Sequence, residues 1–210
     1  MRLTVFGASG GTGTQLVRQA LAAGHEVTAV VRDPARLPVR HAALTVLTAE
    51  VTDPDALRPA LEGAEAVFSA LAASRRRGDI ASTAVRSILR ALPEAGTRRL
   101  VVVSAVPVGP TPAAEPLLGK VLLVPLVRRV FRDAYADLGR MEEELRRSEA
   151  EWTIVRPPRL LDRPHTGRYR QRIGGNVPGG HTLSRADLAH AMLALAAEPA
   201  AVRAEVGVSY

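Results

Sequence analysis

The chain has 210 residues, 47% of them apolar, enough for one domain around a sizeable core. It has no cysteine, which excludes a disulfide framework, a thiolate zinc site and a thiol nucleophile, and makes a reducing cytoplasm the expected compartment. The net charge of +7 is almost wholly arginine, with Lys120 the sole lysine. The arginines are scattered and aromatic residues make up only 3%, so nucleic acid is not an expected partner and an anionic small molecule accounts better for a basic cleft.

Short β-type runs alternate with helical stretches along the chain. The first apolar run, 3–6, meets Gly7 at once, too early for a secretory leader. A helix over 14–23 stops at Gly24, a residue suited to a C-terminal cap. The run 27–31 is continuously apolar and β-branched in the manner of a strand buried on both faces. A third strand follows at 44–47, and Asp53-Pro54 opens a short helix with Asp53 as its cap. A fourth strand lies at 66–70. A helix over 79–92 carries an apolar stripe at Ile80, Ala84, Ile88 and Leu92. Strands at 100–103 and 152–155 complete the series.

The segment 117–131 is unusually apolar and broken by Pro125: a substrate lid, a partner surface or plain core. The longest apolar run, 121–127, is too short to span a bilayer and contains Pro125, so no membrane association is expected. Beyond 155 the composition turns rich in Pro, Gly and Arg, with a short strand expected at 169–173 and a last one at 206–210. Ser184 and Asp187 have the spacing of a capping box for a helix running to 197. The pattern reads as one α/β domain, a Rossmann-type doubly wound parallel sheet, with 157–210 as a small substrate cap.

Gly7-Ala8-Ser9-Gly10-Gly11-Thr12-Gly13 follows a strand and opens a helix. A diphosphate seated on main-chain N–H groups at a helix N-terminus leaves no room for a Cβ at the closest approach, and the third glycine lets the helix pack near the strand. Ser9, Thr12 and Thr14 add hydroxyl donors. A glycine triplet alone is weak evidence; its strand-to-helix context strengthens it. Arg32, 19 positions after Gly13, stands where the second strand meets an adenosine ribose. An arginine there selects the 2′-phosphate of NADP, and Arg36 offers a second cation. The alternative is that Asp33 holds a ribose and the cofactor is NAD, although Asp33 before Pro34 is also explained as a cap.

Further positions follow from strand order. Glu50, beside Val51, is either an acceptor for the adenine amino group or a surface carboxylate. Ala70, Leu71 and Ala72 end the fourth strand with small residues beside a cofactor ribose, or serve simple packing. Ser104 ends the fifth strand and holds a substrate carbonyl, orders a water or is satisfied by backbone. Pro157 faces a nicotinamide carboxamide or forms a rigid turn, and Arg159 anchors an anionic substrate or is exposed. Tyr135 is a candidate acid, yet Gly139 rather than a lysine lies four positions on, leaving Arg132 as the nearby cation. Arg75-Arg76-Arg77 attracts an anion or is a solvated run. The five histidines show no metal-ligand spacing, so no metal is expected.

The glycine turn, Val30-Val31-Arg32-Asp33 and Val51-Thr52-Asp53 together resemble the NmrA-like, NAD(P)H-binding atypical short-chain dehydrogenases. Arg156-Pro157-Pro158-Arg159-Leu160, Thr166-Gly167-Arg168-Tyr169, Leu183-Ser184-Arg185-Ala186-Asp187-Leu188-Ala189 and the tail ending in Tyr210 are similar to stretches of the biliverdin IXβ reductase/flavin reductase family. That resemblance implies an NADPH-dependent reductase with an open apolar pocket, which passes hydride directly to a bound flavin, tetrapyrrole or quinone without a Tyr–Lys acid pair. Arg159 stands where the vertebrate enzymes carry a histidine, Glu50 where an aspartate is usual, and the register at Ser104 and Ala105 does not secure the family's active-site serine.

The expected activity is therefore hydride transfer from NADPH to a flavin, quinone or similar conjugated acceptor, with Ser104, Arg159 and Tyr135 as candidate catalytic residues. The expected partner is a small planar or carbonyl substrate, and the expected state a monomer or weak homodimer. Two alternatives remain: a non-catalytic NADP-binding regulator, and a biosynthetic ketoreductase or isomerase.

Overall fold

The computed structural model describes residues 1–71, 78–109 and 131–210. Ala72, the run 75–77 and all of the apolar segment except Phe131 lie outside these. The main sheet has eight strands in the order β3-β2-β1-β4-β5-β6-β10-β8. They are β1 (Arg2–Phe6), β2 (Glu26–Val31), β3 (Leu44–Thr48), β4 (Ala66–Ser69), β5 (Arg99–Val103), β6 (Glu151–Arg156), β8 (Arg170–Ile173) and β10 (Ala204–Ser209). Every pairing is parallel except β10 with β8. The strand order reverses between β1 and β4, and ligands of open α/β sheets bind at such a switch point.

Alternation along the strands divides the core between two faces. Val5, Val101 and Val155 point into one apolar cluster with Leu16 and Val17 of α1 (Gly11–Ala22). Phe6, Val102 and Ile154 point into the other, with Leu57 of α2 (Pro54–Leu61) and Ile88 of α3 (Ile80–Ala91). Asp53 caps α2 as expected, accepting from Asp55 N at 3.0 Å.

The second face also carries α4 (Arg132–Arg147), a helix missing from the expectations above. Its sequence is dense in charge, yet Leu138, Met141 and Leu145 recur at helical spacing and are buried. Buried Asp137 accepts from Ala81 N at 2.9 Å, Ser82 N at 3.1 Å and Ser82 Oγ at 2.5 Å. It thereby caps the start of α3 from a neighbouring helix, while Asp79 at the N-cap position makes no side-chain cap bond.

Residues 157–210, expected as a small substrate cap, also supply elements of the main fold. β10 extends the sheet beyond β6, and α5 (Arg185–Ala196) packs against α1, burying Leu188, Met192 and Leu195 in the first cluster. A strand as apolar as Val206–Val208 is stabilised by joining the sheet rather than lying over it. Arg99 satisfies the end of α5, donating to Leu195 O at 2.6 Å and Ala196 O at 2.9 Å. Among the described residues only β7 (Arg159–Leu161) and β9 (Thr182–Ser184) pair apart from the main sheet. Among the described residues no helix is long and apolar enough to cross a membrane.

Candidate cofactor site

A cavity of about 720 Å³ opens where β1, β2, β4 and β5 end. The turn after β1 forms one wall. Gly7 has φ +72°, and a Cβ on it would lie 2.9 Å from the carbonyl carbon and oxygen of Ala70 across the switch point. Its own carbonyl accepts Gly10 N at 2.9 Å and closes the turn. At Gly13 a Cβ would sit 2.1 Å from Gly7 O, a clash of backbone with side chain that no rotamer relieves. The turn and α1 therefore touch at main-chain distance, and Gly10 and Gly11 line the cavity without side chains of their own, Gly11 beneath the Arg185 stem.

The structure brings Gly7, Ser9, Gly10, Gly11, Thr12, Arg32, Arg36, Val51, Ala70, Leu71 and Ser104 to this one lining. Thr14 departs from expectation: its hydroxyl is buried and donates to Ala8 O at 3.0 Å, so it braces the turn rather than offering its proton outward. Glu50 is exposed and off the lining, while Val51 beside it is on the lining. Asp33 caps the short 3-10 turn Pro34–Arg36, accepting from Ala35 N at 3.0 Å.

Three other expected residues lie off this lining. Pro157 is buried off the lining, and its carbonyl accepts Val106 N at 3.1 Å. Arg159 is exposed; alternation along β7 puts Leu160 rather than its neighbour on the lining. Tyr135 is also off the lining, where α4 instead presents Ala134 and Leu138, four residues apart on one face. Its ring packs 5.9 Å from that of Phe131, and burial pushes its phenol above the ordinary range, the reverse of what an acid at neutral pH needs.

Ser104 lines the cavity, but its proton is committed. Its Oγ donates to Glu142 Oε1 at 2.6 Å, and Glu142 is only 1% exposed. That carboxylate also accepts from Arg156 Nε at 3.0 Å and NH2 at 2.5 Å, and from Arg146 NH2 at 2.7 Å. Arg156 reaches on to Glu205 at 2.7 Å, and Arg146 bonds the same Glu205, so two cations and two anions close a neutral network. Burial opposes the charge on Arg156, but the bonds to Glu142 and the charges of both glutamates carry it above its ordinary value. With its hydrogen directed at the Glu142 side chain, Ser104 offers the cavity lone pairs only.

The C-terminal motifs converge on buried Asp187. The carboxylate accepts from Thr166 N and Gly167 N, both at 2.9 Å, from Thr166 Oγ1 at 2.8 Å, from Ser184 Oγ at 3.0 Å and from Tyr210 Oη at 2.5 Å. His165 Nδ1 stands 2.8 Å away. Ser184 Oγ accepts Asp187 N at 2.9 Å and so caps α5, but Ser184 N donates to Tyr210 Oη instead of to Asp187, so the capping box is only half formed. Burial pushes the carboxyl up; the bonds from Tyr210, Thr166 and Gly167 outweigh it and hold the group far below the ordinary range.

The lining also includes Arg185, which sequence spacing did not single out. Arg185 is the first residue of α5, directly after the capping Ser184. Among its described residues the lining carries three arginines, Arg32, Arg36 and Arg185, and no carboxylate. A family model described as NAD(P)H-binding matches residues 7–199. The chain belongs to this NAD(P)H-binding family. The match begins at the first glycine of the turn and takes in all three lining arginines.

Likeness to several proteins extends over most of the chain. The protein YwnB of Bacillus subtilis is 25% identical over 199 residues, 92% of this chain and 91% of that one. A short-chain dehydrogenase/reductase of Veillonella parvula, solved in complex with NADP, superposes with a TM-score of 0.81 at 23% identity, covering 100% of this chain and 94% of that one. ChuY of Escherichia coli O157:H7, an anaerobilin reductase, gives 0.78 at 23% identity, over 99% of this chain and 97% of that one.

Proposed function

We propose that the cavity binds NADPH and that the protein is an NADPH-dependent oxidoreductase passing hydride to a flavin, quinone or similar planar conjugated acceptor. One observation carries this reading: the bare glycine turn at the β1–β4 switch point opens the same cavity as Arg32 and Arg36 at the end of β2 and Ser104 at the end of β5. The main-chain amides of the turn, with the Ser9 and Thr12 hydroxyls, suit a diphosphate. Arg32 and Arg36 suit a 2′-phosphate. The NADP-bound Veillonella relative and the Escherichia coli reductase support the reading at the level of fold.

The bound nicotinamide would supply hydride, and the chain would supply orientation. Ile80, Val103, Ala105, Ala134, Leu138 and Leu160 give an apolar wall against which a flat acceptor packs. Ser104 accepts a hydrogen bond and thereby orients an N–H or O–H; it donates none. A carbonyl substrate, which needs a proton donor at its oxygen, suits this wall less than a conjugated ring protonated by water. The same shortage of a donor among the described residues of this wall favours, as a second reading, an NADP-responsive regulator.

Calorimetric titration with NADPH and NADH, followed by NADPH consumption with a panel of flavins and quinones, tests both. The expected result is tighter binding of NADPH and turnover with members of the panel. Binding without turnover shifts the balance to the regulator, and absence of binding by either nucleotide overturns the whole reading.

A further inference from the structure

The glycine turn presents only neutral donors, whereas Arg32 and Arg36 lie at the end of β2. A third cation arrives from the far half of the chain. A methyl group built on Gly11 would lie 2.6 Å from Arg185 Cδ and 2.9 Å from its Nε, so the arginine stem rests directly on the turn. The guanidinium donates through NH1 to Asp162 Oδ1 at 2.8 Å, a carboxylate 86% exposed. Both sides of this contact are fixed. Gln19 of α1 donates to Ala186 O at 2.8 Å, which locks the start of α5 against α1. The Asp187 hub ties Thr166 and Gly167, a few residues beyond Asp162, to the same helix.

We propose that Arg185 is the counter-ion of the dinucleotide diphosphate, and that Asp162 holds its guanidinium until the nucleotide displaces the carboxylate. This rests on the cavity being the dinucleotide site. An exposed ion pair is weak and screened, while a guanidinium fork on a diphosphate makes charge-assisted bonds in a partly enclosed cavity. The exchange therefore runs toward the ligand. Asp162 keeps the cation beside the turn and competes for it, so it lowers affinity while limiting loss of side-chain freedom on binding.

Arg185→Ala and Arg185→Gln, each checked by melting for intact folding, are titrated calorimetrically with NADPH, NADH, ADP-ribose and 2′-AMP. The expected result is a loss of roughly tenfold to hundredfold for the three diphosphates and no change for 2′-AMP, which has none. Asp162→Asn tightens the same three by roughly twofold to fivefold. Unchanged diphosphate binding in both Arg185 variants overturns this assignment and leaves the dinucleotide site standing. Loss of NADPH and 2′-AMP with NADH spared also overturns it, because Arg185 would then read the 2′-phosphate. Failure of the unaltered protein to bind any of the four removes both the assignment and the site beneath it.

Discussion

Arg32 and Arg36 line the cavity without an ion-pair partner among the described residues, whereas Arg185 on the same lining is already paired. An unpartnered guanidinium gives up no partner when a phosphate arrives, so its full charge-assisted bond appears in affinity. Arg32→Ala is expected to weaken NADPH by roughly tenfold to hundredfold while NADH changes by less than about threefold. Equal losses in a calorimetric comparison remove the 2′-phosphate assignment. Ser104 makes a second test, because its proton belongs to Glu142. Loss of a general acid costs about 10²- to 10⁴-fold in rate. A residue that only accepts a bond from the substrate costs far less, so Ser104→Ala should lower kcat/KM by under about tenfold, mainly through KM. A hundredfold fall in kcat at unchanged KM would show that the hydroxyl gives up its proton after all.

Elements depend on one another for their ends. Asp137 lies in α4, yet it satisfies the first N–H groups of α3 and the Ser82 hydroxyl. Asp137→Ala strands these donors in a buried seam and should cost about 2–4 kcal/mol, read as a lower denaturation midpoint with unchanged slope. A loss below about 0.5 kcal/mol would mean that water replaces the carboxylate. This cap also shows where sequence reading stops. Strands β1, β2 and β5 were legible because burial on both faces makes them predominantly apolar runs, with Thr4 and Thr28 the interior exceptions. The glycine turn was legible because its constraint is local: Gly13 meets Gly7 only six residues away. Strands β7 and β9 have three residues each, too short for a period. Helix α4 carried a readable stripe of Leu138, Met141 and Leu145 beneath its charges. Asp137 on α3, Glu142 on Ser104 and Arg185 on Gly11 are contacts between distant segments, and no spacing within one segment encodes them.

At the scale of the whole molecule, two acidic hubs tie the C-terminal segments to the sheet. Glu205 brings β10 to Arg156 of β6 and Arg146 of α4, and Asp187 gathers the loop through Thr166, the start of α5 and the terminal Tyr210. Burial pushes the Glu205 carboxyl up, but the bond from Arg146 and the charges of Arg156 and Arg146 carry it below its ordinary value; Asp187 is held lower still. A carboxyl whose pKa is depressed on folding stabilises the native state above its unfolded pKa, about 3.9 for Asp and about 4.3 for Glu. That stability is lost as pH falls toward the folded value, because the unfolded chain then binds the proton first. From these groups the melting temperature should stay level between about pH 7 and pH 5, then fall steeply below about pH 4. Asp187→Asn removes one titrating group and leaves a neutral amide among donors that want an anion. Its melting temperature should be lower at pH 7, and its acid limb shallower, so that the two curves converge toward pH 2. Parallel limbs across that range would place the acid sensitivity elsewhere and leave Asp187 as a hydrogen-bond hub whose charge is immaterial.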